Sequence, residues 1–189
     1  MAGRPILRAL PRDLSVLVFP TSEHMWILLD REGKAVKYGL PPTPELQAAT
    51  PTIRAPFVGM APDEQTWAMV FITATPFLVF EAERLRCVGH LVEGTPQFPA
   101  AEAYHSEIPV WAIGMAVSRE SLYVLARGRT ELERQLLDEY SLADCTYRGT
   151  LRLPRILQAV AYDGNVFFFY YEDPVPSIIA LKTSPGPSG

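Results

Sequence analysis

Three histidines, His24, His90 and His105, are the side chains of this chain best suited to move a proton near neutral pH. Acid–base or nucleophilic chemistry would need one of them beside a hydroxyl, thiol or carboxylate partner. His24 reads as a turn residue, His90 as part of an outer strand and His105 as a loop residue after Pro99, so each is read as a surface histidine. A hard divalent cation would need convergent oxygen ligands such as Asn, Asp and Glu. The lone asparagine, Asn165, lies in Asp163-Gly164-Asn165, a sequence that makes a turn. No Gly-x-Ser-x-Gly elbow and no glycine-rich phosphate loop occurs. Glu131, Glu133, Asp138 and Glu139 stand among Arg127, Arg129 and Arg134. Such mixed charge is read as a solvated loop, with a contact loop for a protein partner as the sharper reading. Glu172-Asp173 beside Pro174 reads as a turn cap. The two cysteines, Cys87 and Cys145, belong to no CxxC pair or Cys/His cluster, which argues against a zinc site. They fall in different repeats and are read as unlinked thiols. No catalytic, cofactor-binding or metal-binding residue is assigned.

The elements that would position any site are announced by a recurring phrase. Gly59-Met60-Ala61 leads through a polar turn into Trp67-Ala68-Met69-Val70-Phe71. Gly114-Met115-Ala116 leads likewise into Leu122-Tyr123-Val124-Leu125, and Ala159-Val160-Ala161 passes through Asp163-Gly164-Asn165 into Val166-Phe167-Phe168-Phe169-Tyr170. A small-residue strand, a turn and a bulky strand recur roughly every 45–55 residues, the period of propeller blades. The small residues suit innermost strands crowded around an axis.

The spacing predicts an all-β propeller of about four blades, mostly of four antiparallel strands, at about 5–41, 56–93, 110–154 and 155–182, within a single domain over 1–183 and a disordered tail over 184–189. Strands are expected at 15–19, 25–29 and 35–40 in the first blade, with Gly33 at a positive φ in the turn between the last two. Ile6 to Leu10 is either an innermost first strand or a terminus that completes the last blade. The strands are nearly continuous apolar runs, which implies burial on both faces. Arg129 to Asp138 is the one stretch of helical composition and is read as a charged hairpin loop. Phe167 to Tyr171 is expected in the core between blades, partly exposed if a neighbouring blade is missing.

The segments Ser121-Leu122-Tyr123-Val124-Leu125, Leu137 to Asp144, Tyr147 to Pro154 and Glu172-Asp173-Pro174-Val175-Pro176 resemble the bacterial six-bladed β-propeller family of NHL/TolB-like type. Asp13 to Phe19 and Leu29 to Lys34 are similar to it too. The resemblance implies a six-bladed ring, usually considerably longer and often exported. This chain lacks the Gly-Pro-Gly-Glu-Phe type segment of that family's early blades. A partial six-bladed ring is therefore favoured over a complete four-bladed one.

The 189 residues are 48% hydrophobic and 20% charged, a globular composition, and the 18 prolines suit short strands joined by turns. A net charge of −4 argues against binding a nucleic-acid backbone. No apolar run approaches the ~20 residues of a membrane span, and the first residues carry no secretory signal. The chain as given reads as cytoplasmic, or periplasmic or extracellular if a signal-bearing N-terminus is missing. The expected role is a non-catalytic binding or scaffold module for an unknown protein or small molecule, without a cofactor. The alternatives are a propeller-type hydrolase or lyase with a metal in the channel, and a structural fragment that self-associates through open blade edges.

Overall fold

A computed structural model describes residues 6–10, 13–18, 24–49, 56–92, 110–127, 134–171 and 174–182. The first sheet contains β1 (Ile6–Ala9), β2 (Ser15–Val18), β3 (Trp26–Leu29) and β4 (Ala35–Gly39), in that spatial order. A short helix, α1 (Pro44–Ala49), follows. The second sheet runs β5 (Phe57–Met60), β6 (Thr66–Val70), β7 (Pro76–Glu81) and β8 (Arg84–His90). The third runs β9 (Ala112–Val117), β10 (Ser121–Ala126), β11 (Leu136–Ser141) and β12 (Tyr147–Arg152). The fourth has three described strands, β13 (Ala159–Tyr162), β14 (Val166–Tyr171) and β15 (Ser177–Lys182). Every pairing is antiparallel between sequence neighbours. The fold is all-β and of propeller type.

Three apolar clusters join the four sheets in series. Val16, Val18, Trp26 and Leu28 of the first sheet meet Trp67, Met69, Leu78 and Phe80 of the second. The other side of the second sheet, with Ala68, Val70, Phe77 and Val79, meets Val117, Leu122, Val124 and Tyr140 of the third. Leu125 and Leu137 of the third then meet Val160, Phe167, Phe169 and Tyr171 of the fourth. The middle strands β6 and β7 are buried on both faces, whereas β2, β3 and β14 alternate between buried and half-buried residues. Exposed Leu7, Val36 and Tyr38 at one end and Ile178 at the other show that, among the described residues, the end sheets do not close on each other. The four blades form an open arc.

The recurring phrase does structural work. β5, β9 and β13 are the first strands of their sheets, and their small residues admit the neighbouring sheet. A Cβ on Gly59 would lie 2.9 Å from Met115 Cε and 3.0 Å from Val117 Cγ2. Two residues beyond each small strand's last alanine, Asp63, Ser118 or Asp163 accepts two backbone amides of the turn. The donors are Gln65 and Thr66, Glu120 and Ser121, and Asn165 and Val166 respectively. Gly33 has φ +80° in its turn, as expected.

Several expectations are corrected. Cys87 on β8 and Cys145 in the β11–β12 turn form a disulfide across 58 residues of sequence, so they are not unlinked thiols. The second and third sheets pack face to face there, which brings together thiols from different repeats. A helix, α1, stands at Pro44–Ala49, where none is expected, and Leu136 to Asp138, the last residues of the stretch read as a charged hairpin loop, belong to β11. The signal lay in Thr43-Pro44-Glu45: Thr43 caps the helix through Leu46 N–H donating to its Oγ1 at 3.2 Å, and proline suits the first helical position. Buried Leu46 ties the helix to the first core cluster. Ile6–Ala9 pairs with β2 of its own sheet and does not complete the last blade. His105, Arg129, Glu131, Glu133, Glu172, Asp173 and the 184–189 tail lie outside the described residues.

Candidate binding cleft between the first and second sheets

Among the described residues, a cleft of about 280 Å³ opens where β4 approaches the β7–β8 hairpin. Its floor is aromatic. Trp26, at the start of β3, pairs across the sheet with Gly39 on β4, and its indole occupies the space a side chain would take there. A Cβ on Gly39 would fall 1.8 Å from the ring. The edge of Trp26 meets Phe80 at 5.4 Å, and Phe80 stacks on Trp67 at 4.0 Å. Trp67 Nε1–H donates to the Ala82 carbonyl at 2.6 Å. Lys37 Nζ reaches across from β4 to donate to the Glu83 carbonyl at 2.7 Å, clamping the two sheets at the rim. Leu40 and Leu85 complete the apolar lining. A second depression of about 220 Å³ adjoins through Leu85 and is charged, lined by Glu81, Arg84 and Arg86. An apolar hollow beside a charged shelf can hold a hydrophobic side chain and its polar flank.

The residues singled out for chemistry are scattered. His24 precedes β3 with its ring 4.8 Å from Tyr38, and His90 ends β8 with an exposed side chain. Asn165 sits in its turn, where Asp163 Oδ1 accepts its backbone N–H at 2.9 Å. The reading of Asp138 and Glu139 as solvated loop residues is corrected: both lie on β11, and Asp138 is buried and accepts a hydrogen bond from Thr150. Glu139 is half-buried and accepts from Ser121 Oγ at 2.6 Å, while Arg148 Nη1 donates to that hydroxyl at 2.8 Å and lies 3.6 Å from the carboxylate. Burial, with the Glu139 charge nearby, pushes the adjacent Tyr123 hydroxyl's pKa up. This polar group holds the edge of the third sheet. Arg134 Nη1 donates to Gln158 at 2.9 Å, joining the third and fourth sheets. Among the described residues no His, Cys, Asp and Glu gather in a metal-binding group. No helix there is long and apolar enough to cross a membrane.

No family model matches this chain, and no curated protein matches it. Solved structures do resemble it. The β-propeller domain of Cps50 (Swd1) from Myceliophteria thermophila aligns over 97% of this chain and 54% of its own, with a TM-score of 0.61 and 9% identity. The computationally designed Ika4 protein aligns over 96% of this chain and 92% of its own, with a TM-score of 0.57 and 10% identity. Kuenenia stuttgartiensis hydrazine synthase aligns over 94% and 58%, with a TM-score of 0.57 and 12% identity. At these identities the likeness carries the propeller-type fold alone. The chain spans about half the length of the Cps50 domain and of the synthase chain.

No local motif announces the cleft. Its residues come from two repeats about 50 positions apart, and no motif within either repeat marks them as one site. The available signal was the bulky Trp26 opening a strand whose outer partner strand ends on Gly39.

Proposed function

We propose that this chain is a non-catalytic binding module whose rim cleft takes a hydrophobic side chain of a protein ligand. The observation that carries the reading is the preformed aromatic floor of Trp26 and Phe80, locked by Trp67 and by the Lys37 clamp. Such a floor needs little rearrangement on binding, which lowers the entropic cost of association. The charged shelf of Glu81, Arg84 and Arg86 would meet polar residues beside the anchor. Residues 6–182 would act as one unit, since each sheet shares a core with the next. The Cys87–Cys145 bond supports work in an oxidising compartment, where disulfides persist.

Panning a library of random extended peptides against the protein tests this reading. Enrichment of sequences with a large apolar residue, lost on an L40E protein, is the expected result. Leu40 is exposed, so its substitution should leave the fold intact. No enrichment, or enrichment that L40E leaves unchanged, would sink it.

A further inference from the structure

Two faces of the arc carry core-like sequence without core-like burial. On the first sheet, Leu7, Leu17, Ile27 and Tyr38 are cross-strand partners and form one apolar row over all four strands. Leu7 is 56% exposed and Tyr38 53%. On the fourth sheet, Tyr170 lies between Ala159 and Ile178, and Phe168 between Ala161 and Ala180; Ile178 is 70% exposed. An antiparallel sheet that keeps one face in water normally alternates apolar with polar residues. Trp26-Ile27-Leu28-Leu29 and Phe167 to Tyr171 do not alternate. They read like β6 and β7, which are covered on both sides.

We infer that the chain pairs with a second copy of itself. The free face of each copy's first sheet seats on the free face of the other's fourth sheet. This contact continues a geometry already present between successive sheets, since the side of one blade that looks forward meets the side of the next that looks back. Two ends of opposite kind make the contact head to tail, and a twofold axis satisfies both ends of both chains at once. The ring so closed has eight blades, within the four to eight that propellers use. Strand spacing near 4.8 Å and a rise near 3.3 Å per residue give each free face roughly 300 Å² in plan. The four faces of a closed dimer therefore cover roughly 1,200 Å², above the ~1,000 Å² expected of a specific interface.

Light scattering on the 189-residue chain gives the first test, with a mass twice 21.1 kDa expected. Y38K on one face and I178E on the other should each give a folded monomer, with folding checked by circular dichroism. Mixing the two variants in equal amounts should restore a dimer. In that heterodimer one contact is wild type on both sides and the other sets lysine against glutamate. A monomeric wild-type protein would overturn the inference and leave the faces to further blades or to another protein. So would a dimer that neither variant breaks, or a mixture that stays monomeric, because either result means the faces do not meet head to tail.

Discussion

Asp63, Asp144 and Asp163 each spend a carboxylate on the backbone of a turn, and that shapes the response to acid. Burial pushes Asp63 up, but the amides of Gln65 and Thr66 and the Thr66 hydroxyl outweigh it and hold the group below the usual carboxylate range. Asp144 is lowered first by Ser141 and then by Thr146, and Asp163 by the amides of Asn165 and Val166. A carboxyl with a depressed pKa in the folded state contributes stability that is present above its unfolded value, about 3.9 for aspartate, and lost as pH falls through the folded value. Denaturant midpoints should therefore fall as the pH drops below about 4. Asp63→Asn and Asp163→Asn together keep an acceptor oxygen while removing the titration, so the decline should become shallower. An unchanged slope would refute the assignment. The disulfide makes a second prediction at this scale. Closing a 58-residue separation restricts the unfolded chain by an amount worth about 4 kcal/mol in the chain-entropy view. Cys145→Ser, or reduction of the native protein, should lower unfolding free energy by roughly 2–5 kcal/mol. Equal urea midpoints with and without reductant would contradict it.

Among the elements, the outer strands show how one residue type can do opposite work. Gly39 lies under Trp26 and Gly89 under Phe77, where a Cβ would fall 1.8 and 2.1 Å from the ring atoms. Gly149, on the corresponding strand of the third sheet, has nothing within 4 Å of an added Cβ. Gly39→Ala and Gly89→Ala should each cost about 1–3 kcal/mol through forced repacking, while Gly149→Ala should be neutral within about 0.5 kcal/mol. Similar losses at all three positions would mean that the rings are not what demands glycine. The helix offers a separate check. Thr43→Ala removes the cap and should cost about 1 kcal/mol, whereas Leu46→Ala empties a fully buried site and should cost about 2–5 kcal/mol. The recurring strands and turns were legible in the residues because small strand, Asx or Ser turn and bulky strand are local patterns. The cap of the helix was legible too, in Thr43-Pro44-Glu45.

At the scale of the molecule, each interface between sheets has its own fastener. Lys37 reaches the Glu83 carbonyl between the first and second sheets. Cys87–Cys145 and the Tyr140 hydroxyl, which accepts from Val92 N–H at 3.0 Å, join the second and third. Arg134 with Gln158, and Tyr123 edge-on to Phe167 at 4.7 Å, join the third and fourth. If two copies close the ring, folding and assembly are linked and Tm should rise with protein concentration. The Y38K variant should lose that dependence in a thermal melt while keeping its strand content. A Tm independent of concentration in the wild type would count against assembly.

The sequence by itself determined the all-β class, the propeller-type repeat and its turns, because these depend on contacts between residues near in the chain. It also placed small residues on the innermost strands, where the neighbouring sheet comes within 3.0 Å of where a Gly59 side chain would begin. Tertiary structure alone decided the rest. It paired Cys87 with Cys145, buried Asp138 against Thr150 and assembled the cleft from β4 and the β7–β8 hairpin. Each of these depends on how one sheet stacks on the next, and no local pattern of residues encodes that stacking. The same holds for the end faces: the sequence makes β3 and β14 apolar on both sides, and only the packing of the arc leaves one side of each uncovered.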